Sequence, residues 1–267
     1  MKSLDGKELA GYIKERQFHT ARSLGRALRR QPKLLIIRDS DNPVIVKYVN
    51  LKKRYGEDIG VEVEDFCAQD AREIREKILT ANEDMGVDGI IVQLPIRERE
   101  LTDELMDLIA SAKDVDGLAN DGEFDSATAT AINWLLAGYG VNLMGPRIAL
   151  VGRGKLVGAP LYKMWTTSGY DVSLLHRGDD LTQLIDFDII VTATGVPGLI
   201  TSEMVREGAV VVDAGTASEG GVLVGDVAAD VRARDDLAAI TPQMGGVGPL
   251  TVTCLFEHVL EAAEKSI

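Results

Sequence analysis

The sequence predicts an α/β protein of two lobes, each a parallel sheet flanked by helices. Three observations carry that prediction. Short apolar runs of strand length alternate with stretches in which apolar residues recur at helical spacing, as crossover-connected parallel strands require. The alternation comes in two separate series, divided by a further helical stretch. At 267 residues with 45% apolar side chains, the chain can fill one large core or two ordinary ones, since single cores stop growing near roughly 250 to 300 residues.

Taken in order, Leu9 to Leu28 reads as a helix and Leu34-Leu35-Ile36-Ile37 as a buried strand, followed by the turn-rich Arg38-Asp39-Ser40-Asp41-Asn42-Pro43. Val44 to Tyr55 returns to helical spacing, Gly60 closes it, and Val61-Glu62-Val63 alternates like a strand. Ala71 to Met85 is helical again, and Gly89 to Leu94 is a buried strand stopped by Pro95. A helix from Asp125 to Gly138 links the lobes. The second series has four strands: Arg147 to Val151, Asp171 to Leu175, Ile189 to Ala193, and Ala209 to Asp213. Val252 to Lys265 is an amphipathic C-terminal helix, expected to return to the first lobe.

Composition narrows the function classes. Lys and Arg number 29 against 42 Asp and Glu, a net charge of −13, which repels a phosphate backbone over most of the surface. No nucleic acid partner is expected. The one basic stretch, Arg26, Arg29, Arg30 and Lys33, closes a helix, where cations complement the dipole, and reads as a solvated face rather than a binding patch. The two cysteines, Cys67 and Cys254, are too few and too far apart for a disulfide framework or a zinc site, so no metal is expected and a reducing cytoplasm fits. No stretch approaches the roughly 18 apolar residues of a membrane span, and no apolar leader opens the sequence.

Gly152-Arg153-Gly154-Lys155-Leu156-Val157-Gly158 follows a strand and precedes a helix, where a phosphate-binding turn belongs. Glycines there permit the tight turn and let a pyrophosphate approach backbone N–H groups at a helix N-terminus. The spacing is one residue longer than Gly-x-Gly-x-x-Gly, so the motif is weak by itself. After the next strand, where an acid holds the ribose of NAD, the chain has His176-Arg177-Gly178. Arg177 and Arg153 suit a 2′-phosphate, which favours NADP, while Asp179 and Asp180 leave NAD open. Thr194 and Gly195 end the third strand, where backbone passes near the nicotinamide half of such a cofactor.

Tyr48 and Lys52 lie four residues apart on one helix face. A lysine shielded from water has a lowered pKa and can activate water, and a tyrosine ring can stack on a planar heterocycle. By spacing alone a solvent-facing Lys52 beside a core Tyr48 is the stronger reading of the pair. Gln93 ends a buried strand at the edge that faces the crevice of an open sheet, and needs a partner there. Lys113-Asp114-Val115-Asp116-Gly117 sets two carboxylates beside a turn, its simpler alternative being an exposed charged loop.

As an ordered set, these blocks resemble the methylenetetrahydrofolate dehydrogenase/cyclohydrolase family over nearly the whole chain. The likeness lies in Tyr48-Val49-x-x-Lys52, Asp88 to Pro95, Lys113 to Gly117, Val151-Gly152-Arg153 with Val157-Gly158-x-Pro160, and Gly245-Gly246-Val247-Gly248-Pro249-Leu250-Thr251. The resemblance implies an N-terminal catalytic, folate-binding lobe over 1–120, completed by 250–267, and a Rossmann-like NADP-binding domain over 121–249. It implies oxidation of 5,10-methylenetetrahydrofolate with NADP, then hydrolysis of the methenyl product to 10-formyltetrahydrofolate. Lys52 would be the central catalytic residue, Gln93 would orient it, Tyr48 would stack on the folate and Asp116 would bind the pterin. Gly248 and Pro249, in a rigid loop between the lobes, would border the substrate. Gly152, Arg153, Gly154, Gly158, Arg177, Thr194, Gly195 and Thr216 would contact the cofactor. A cytoplasmic homodimer serving purine synthesis is the family expectation. The chain departs from the family pattern at Ser126-Ala127-Thr128-Ala129, at Gln243-Met244, at Gly154 and Arg177, and in the loop from Asp39 to Ile45. A shikimate-dehydrogenase-like oxidoreductase would share the lobe order and the glycine turn but has no need of the Lys113 to Gly117 and Gly245 to Pro249 blocks together.

Overall fold

The structure, a computed structural model, describes residues 1–176, 178–219 and 222–267. In chain order its elements are β1 (Lys2–Ser3), α1 (Gly6–Leu28), β2 (Lys33–Arg38), α2 (Pro43–Ile59), β3 (Glu62–Cys67), α3 (Ala71–Glu83), β4 (Gly89–Val92), α4 (Thr102–Met106), α5 (Ala127–Gly138), β5 (Arg147–Val151), α6 (Gly158–Thr167), β6 (Asp171–Leu175), β7 (Ile189–Thr192), β8 (Val210–Asp213), β9 (Ala217–Glu219), β10 (Val222–Val224), α7 (Ala229–Arg232), β11 (Ala239–Ile240) and α8 (Val247–Lys265). They form two compact units. One comprises Gly11–Ala127 and Val252–Ile267, the other Met1–Ala10 and Thr128–Thr251.

In the first unit β2 lies between β3 and β4 in a parallel three-stranded sheet. Leu34 to Ile37 and Gly89 to Val92 are all buried, because a parallel sheet is covered on both faces and therefore needs unbroken apolar runs. Local signals set the helices. Asn42 accepts a hydrogen bond from the Val44 N–H and Pro43 opens α2, while Gly60, at φ 83°, ends it. Asp70 caps α3 through the Glu73 N–H. The C-terminal part of α8 packs into this unit as the sequence predicts: Phe256 stacks on Tyr55 at 5.0 Å between centroids, and Gln17 Nε2 donates to the Thr253 carbonyl at 2.9 Å. The basic stretch is partly consumed internally. Arg30 donates from both terminal nitrogens to Asp88, at 2.6 and 2.7 Å, and Lys33 pairs with Glu62 and Glu64.

The second unit holds a six-stranded parallel sheet in the order β1-β11-β8-β7-β5-β6, with a small antiparallel hairpin of β9 and β10 beside it. The chain steps from β5 out to β6 and returns on the other side with β7, so the topological switch point falls between β5 and β7. Trp165 of α6 is fully buried, and its Nε1 donates to Asn133 Oδ1 at 2.6 Å.

Within the six-stranded sheet, two strands exceed the four that the sequence predicts. β1 and β11 are two residues each, too short to show a period of two, and they are held by backbone pairing: Lys2 N–H to Ala238 carbonyl and Leu4 N–H to Ile240 carbonyl, each 2.9 Å. The sequence reading puts Met1 to Ala10 in the first lobe; in the structure they belong to the second unit, whose sheet Lys2 and Ser3 complete. Gly248 and Pro249, expected in a loop, stand in the first turn of α8, where the missing proline N–H has no helical partner to lose. Among the described residues no helix is long and apolar enough to cross a membrane.

Candidate active site

Tyr48 and Lys52 sit one turn apart on α2, both half-buried, with Val49 fixed in the core between them. Gln93 directly follows β4, and its N–H continues the ladder to the Ile37 carbonyl at 2.7 Å. Its side chain therefore leaves the sheet at the C-terminal edge, the edge where open α/β sheets place ligands. Gln93 Nε2 turns back to the Leu94 carbonyl at 3.3 Å, which presents Oε1 to Lys52 Nζ at 2.7 Å. Burial pushes the Lys52 amine below the ordinary lysine value, with Asp116 opposing the shift. Burial likewise pushes the Asp116 carboxyl up, against Lys52 and His258, which draw it down. The solvent-facing alternative for Lys52 is excluded by this pairing.

The Lys113 to Gly117 block divides its labour. Lys113 Nζ donates to the carbonyls of Ala81, Asn82 and Asp84 at 2.7 to 2.9 Å, closing the end of α3. Asp114 is buried and accepts from the N–H groups of Gly117, Leu118 and Ala119, which folds the loop around it. Gly117 has φ 67° and lies against the Asp125 backbone, so no side chain fits there. Asp116 is left as the carboxylate coupled to Lys52. The sequence contained no signal for His258, whose Nδ1 donates to the Val115 carbonyl at 2.9 Å and whose ring stacks on Phe124.

In the second unit the glycine turn follows β5 at the switch point. Gly152 has φ 114°, and a Cβ on it would lie 2.5 Å from the Ala193 carbonyl oxygen; one on Gly158 would strike the Gly152 carbonyl. Both positions demand glycine, and they bring the turn against Ala193 and Thr194 with the N-terminus of α6 behind it. This cradle fits a dinucleotide pyrophosphate. Arg153 and Gly154 are exposed on the turn; Thr194 is half-buried, and Gly195 and Thr216 are exposed on the turns after β7 and β8. Arg177 lies outside the described residues. Beside it Asp179 accepts from the His176 N–H at 2.7 Å, with His176 Nδ1 at 2.5 Å, and its carboxyl is drawn down by those bonds and by Arg153. Gly248 and Pro249 belong to this unit, whereas Tyr48, Lys52, Gln93 and Asp116 belong to the other.

A buried network beneath these turns had no counterpart in the sequence reading. Asp226, fully buried, accepts from Thr192 Oγ1 at 2.7 Å, the Thr194 N–H at 2.6 Å and the Val196 N–H at 3.0 Å. Asp213 accepts from the N–H groups of Gly215, Asp226 and Val227 and from Arg232 Nη2 at 2.5 Å. Its only sequence trace is Gly225-Asp226 after a short apolar run.

Comparison with known proteins agrees with this geometry. Residues 4–116 match the tetrahydrofolate dehydrogenase/cyclohydrolase catalytic domain, and residues 126–267 match the NAD(P)-binding domain of the same family. The chain is 36% identical over 284 residues to the bifunctional protein FolD of Hydrogenobaculum sp., covering 100% of both. It is 36% identical to that of Methanosarcina barkeri, covering 98% of this chain and 96% of that one. Among solved structures, the bifunctional methylenetetrahydrofolate dehydrogenase/cyclohydrolase of Campylobacter jejuni superposes with a TM-score of 0.93 at 32% identity over 100% of each chain. The Trypanosoma brucei dehydrogenase-cyclohydrolase, solved with NADP and an inhibitor, gives 0.90 at 30% identity, covering 99% and 97%. A shikimate 5-dehydrogenase of Thermus thermophilus shares the fold alone, with a TM-score of 0.56 at 14% identity. This chain belongs to the tetrahydrofolate dehydrogenase/cyclohydrolase family.

Proposed function

We infer that the chain oxidises 5,10-methylenetetrahydrofolate to the 5,10-methenyl compound with NADP and hydrolyses that product to 10-formyltetrahydrofolate. The observation that carries this reading is the Lys52–Gln93 contact of 2.7 Å, with Asp116 electrostatically coupled to the same amine. NADP, when bound, supplies the hydride acceptor. The glycine turn at Gly152 to Gly158 is the place for its pyrophosphate, with Arg153 toward the 2′-phosphate and Thr194, Gly195 and Thr216 toward the nicotinamide.

Oxidation asks the protein mainly to align two rings, the role assigned to Tyr48 on the folate side. Hydrolysis asks for proton transfer. A methenyl bridge is cationic, so an amine whose charge is disfavoured by burial tolerates it better than an ordinary ammonium would. In its neutral form Lys52 takes a proton from the attacking water, and as the ammonium it returns one to the leaving ring nitrogen. Gln93 holds the amine in place without contributing a charge, and Asp116 binds the pterin by accepting from its ring N–H and amino groups. Gly11–Ala127 with Val252–Ile267 serve as the folate-binding lobe, and Thr128–Thr251, joined by Met1–Ala10, as the cofactor domain. A cytoplasmic homodimer feeding one-carbon units to purine synthesis accords with the family, and the net charge of −13 weighs against a nucleic acid partner.

The test is an absorbance assay of the purified protein with methylenetetrahydrofolate and either NADP or NAD, followed by decay of the methenyl chromophore. Production of NADPH is expected; no reduced nucleotide with either cofactor would overturn the dehydrogenase half. Lys52→Met is expected to slow methenyl hydrolysis by at least about a hundredfold, the usual scale of general acid–base catalysis. A variant hydrolysing at the wild-type rate would remove Lys52 from the mechanism.

A further inference from the structure

We propose that Asp226 is a positioning residue for the cofactor, its buried carboxylate fixing the Thr194 to Val196 turn on which the nicotinamide half of NADP rests. The proposal builds on the functional reading above and adds a residue that touches neither folate nor cofactor.

Three features of the second unit lead to it. First, the carboxylate is wholly buried and all three of its recorded partners are donors: the Thr192 hydroxyl and the N–H groups of Thr194 and Val196. The carboxyl meets each of these donors with an acceptor oxygen, and it ties together the N–H groups of Thr194 and Val196 where β7 gives way to its turn. Second, the close fit extends to the next turn. Gly215 lies directly against the Asp226 carboxylate, and Gly225 lies equally close against Asp213, so side chains are excluded from both. The turn leading to Thr216 is thereby seated on the same carboxylate. Third, Asp226 is itself fastened. Its N–H and that of Val227 donate to Asp213 at 3.0 and 3.1 Å, Arg232 pairs with Asp213, and the Asp213 N–H donates to Thr241 Oγ1 at 2.9 Å.

The location gives the network its purpose. β5 and β7 flank the switch point, and Gly152 packs on Ala193 and Thr194, so the phosphate turn and the Thr194 turn form adjoining walls of one crevice. A buried carboxyl hydrogen-bonded to backbone is an expensive way to hold an ordinary surface loop. It is a suitable way to hold a backbone whose placement must not vary when a ligand arrives, since a preorganised turn spares the ligand the cost of ordering it.

The experiment uses the full-length protein and two near-isosteric variants. Asp226→Asn keeps the shape but replaces one acceptor oxygen with an NH₂ donor, so at least one of the three hydrogen bonds is lost. Thr192→Val removes one hydroxyl. Three quantities are read for each: KM for NADP, dehydrogenase kcat at saturating NADP, and methenyl hydrolysis without nucleotide. For Asp226→Asn the expected result is a rise of about tenfold or more in KM for NADP, the scale of one lost hydrogen bond to a charged group. Its kcat and nucleotide-free hydrolysis are expected to stay within about threefold of wild type. Thr192→Val is expected to raise KM by about two- to fivefold with the same split. A KM for NADP unchanged in Asp226→Asn overturns the proposal, as does a parallel loss of all three quantities, which marks a purely structural carboxylate. Wild-type NADP reduction is measured first and tests the functional reading itself; only the ratios of variant to wild type test Asp226.

Discussion

Lys52 Nζ is held at 2.7 Å by a neutral oxygen, that of Gln93, although a glutamate of nearly the same shape would bind an ammonium more strongly. The choice bears on the proton. With Asp116 as the coupled charge that opposes desolvation, burial holds the amine below its ordinary value. Gln93→Glu would add a full negative charge in contact with the amine and raise its pKa, by about one unit or more for a carboxylate at such a distance. If the neutral amine starts hydrolysis, activity rises with pH through that pKa, and the rising limb of the pH–rate profile for methenyl hydrolysis moves to higher pH by the same amount. At any one pH on that rising limb the variant is then slower than the wild type. A profile in which the limb keeps its position would separate the titration of Lys52 from the reaction. The dehydrogenase rate, which needs no proton from Lys52, is expected to change less.

At the scale of elements, the loop from Lys113 to Gly117 shows how a site carboxylate is delivered. Asp114 spends its oxygens on the backbone of the loop and Lys113 closes α3, so Asp116 alone is free to face Lys52. Gly117→Ala would force a side chain at φ 67° into the Asp125 carbonyl, at a cost of about 2 kcal/mol or more, and would displace Asp116 with it. Urea denaturation should show the lost stability, and hydrolysis should fall further than the small unfolded fraction explains. Equal activity per folded molecule would mean that the loop tolerates the shift. The sequence made this element readable only in part. The apolar runs of β2, β4, β5, β7 and β8 and the helix stop at Gly60 are local signals, so they stand where the sequence pattern puts them. The partition between Asp114 and Asp116 is not local: two carboxylates two residues apart look alike until the turn is folded. His258 was invisible for the same reason, being 143 residues from the carbonyl it holds. Asp226 was missed because its partners, Thr192, Thr194 and Val196, lie in and just after β7, 30 to 34 residues away.

For the whole molecule, the consequential difference between sequence and structure is the membership of residues 1–10. Lys2 and Ser3 carry too little pattern to be read as a strand, yet they extend the six-stranded sheet beyond β11, and Leu4 behind them is fully buried. Gly6 packs directly on the Gly246 backbone, and the Lys7 N–H donates to the Gly245 carbonyl at 3.0 Å. The first residues of the sequence thus brace the Gly245-Gly246 segment that leads into α8. Leu4→Ala would leave a cavity in the second unit, at a cost of about 2 to 5 kcal/mol. Both tryptophans, Trp134 and Trp165, lie in that unit, so intrinsic fluorescence reports its unfolding selectively. With a slope of about 1 to 3 kcal/mol per molar urea, the fluorescence midpoint is expected to fall by roughly 1 to 2 M. NADP at a hundred times its dissociation constant should recover about 2.7 kcal/mol of the loss, because it binds only the folded unit. A midpoint unmoved by Leu4→Ala would show that this segment contributes nothing to the cofactor unit, and recovery by a folate ligand in place of NADP would assign the segment to the first unit instead.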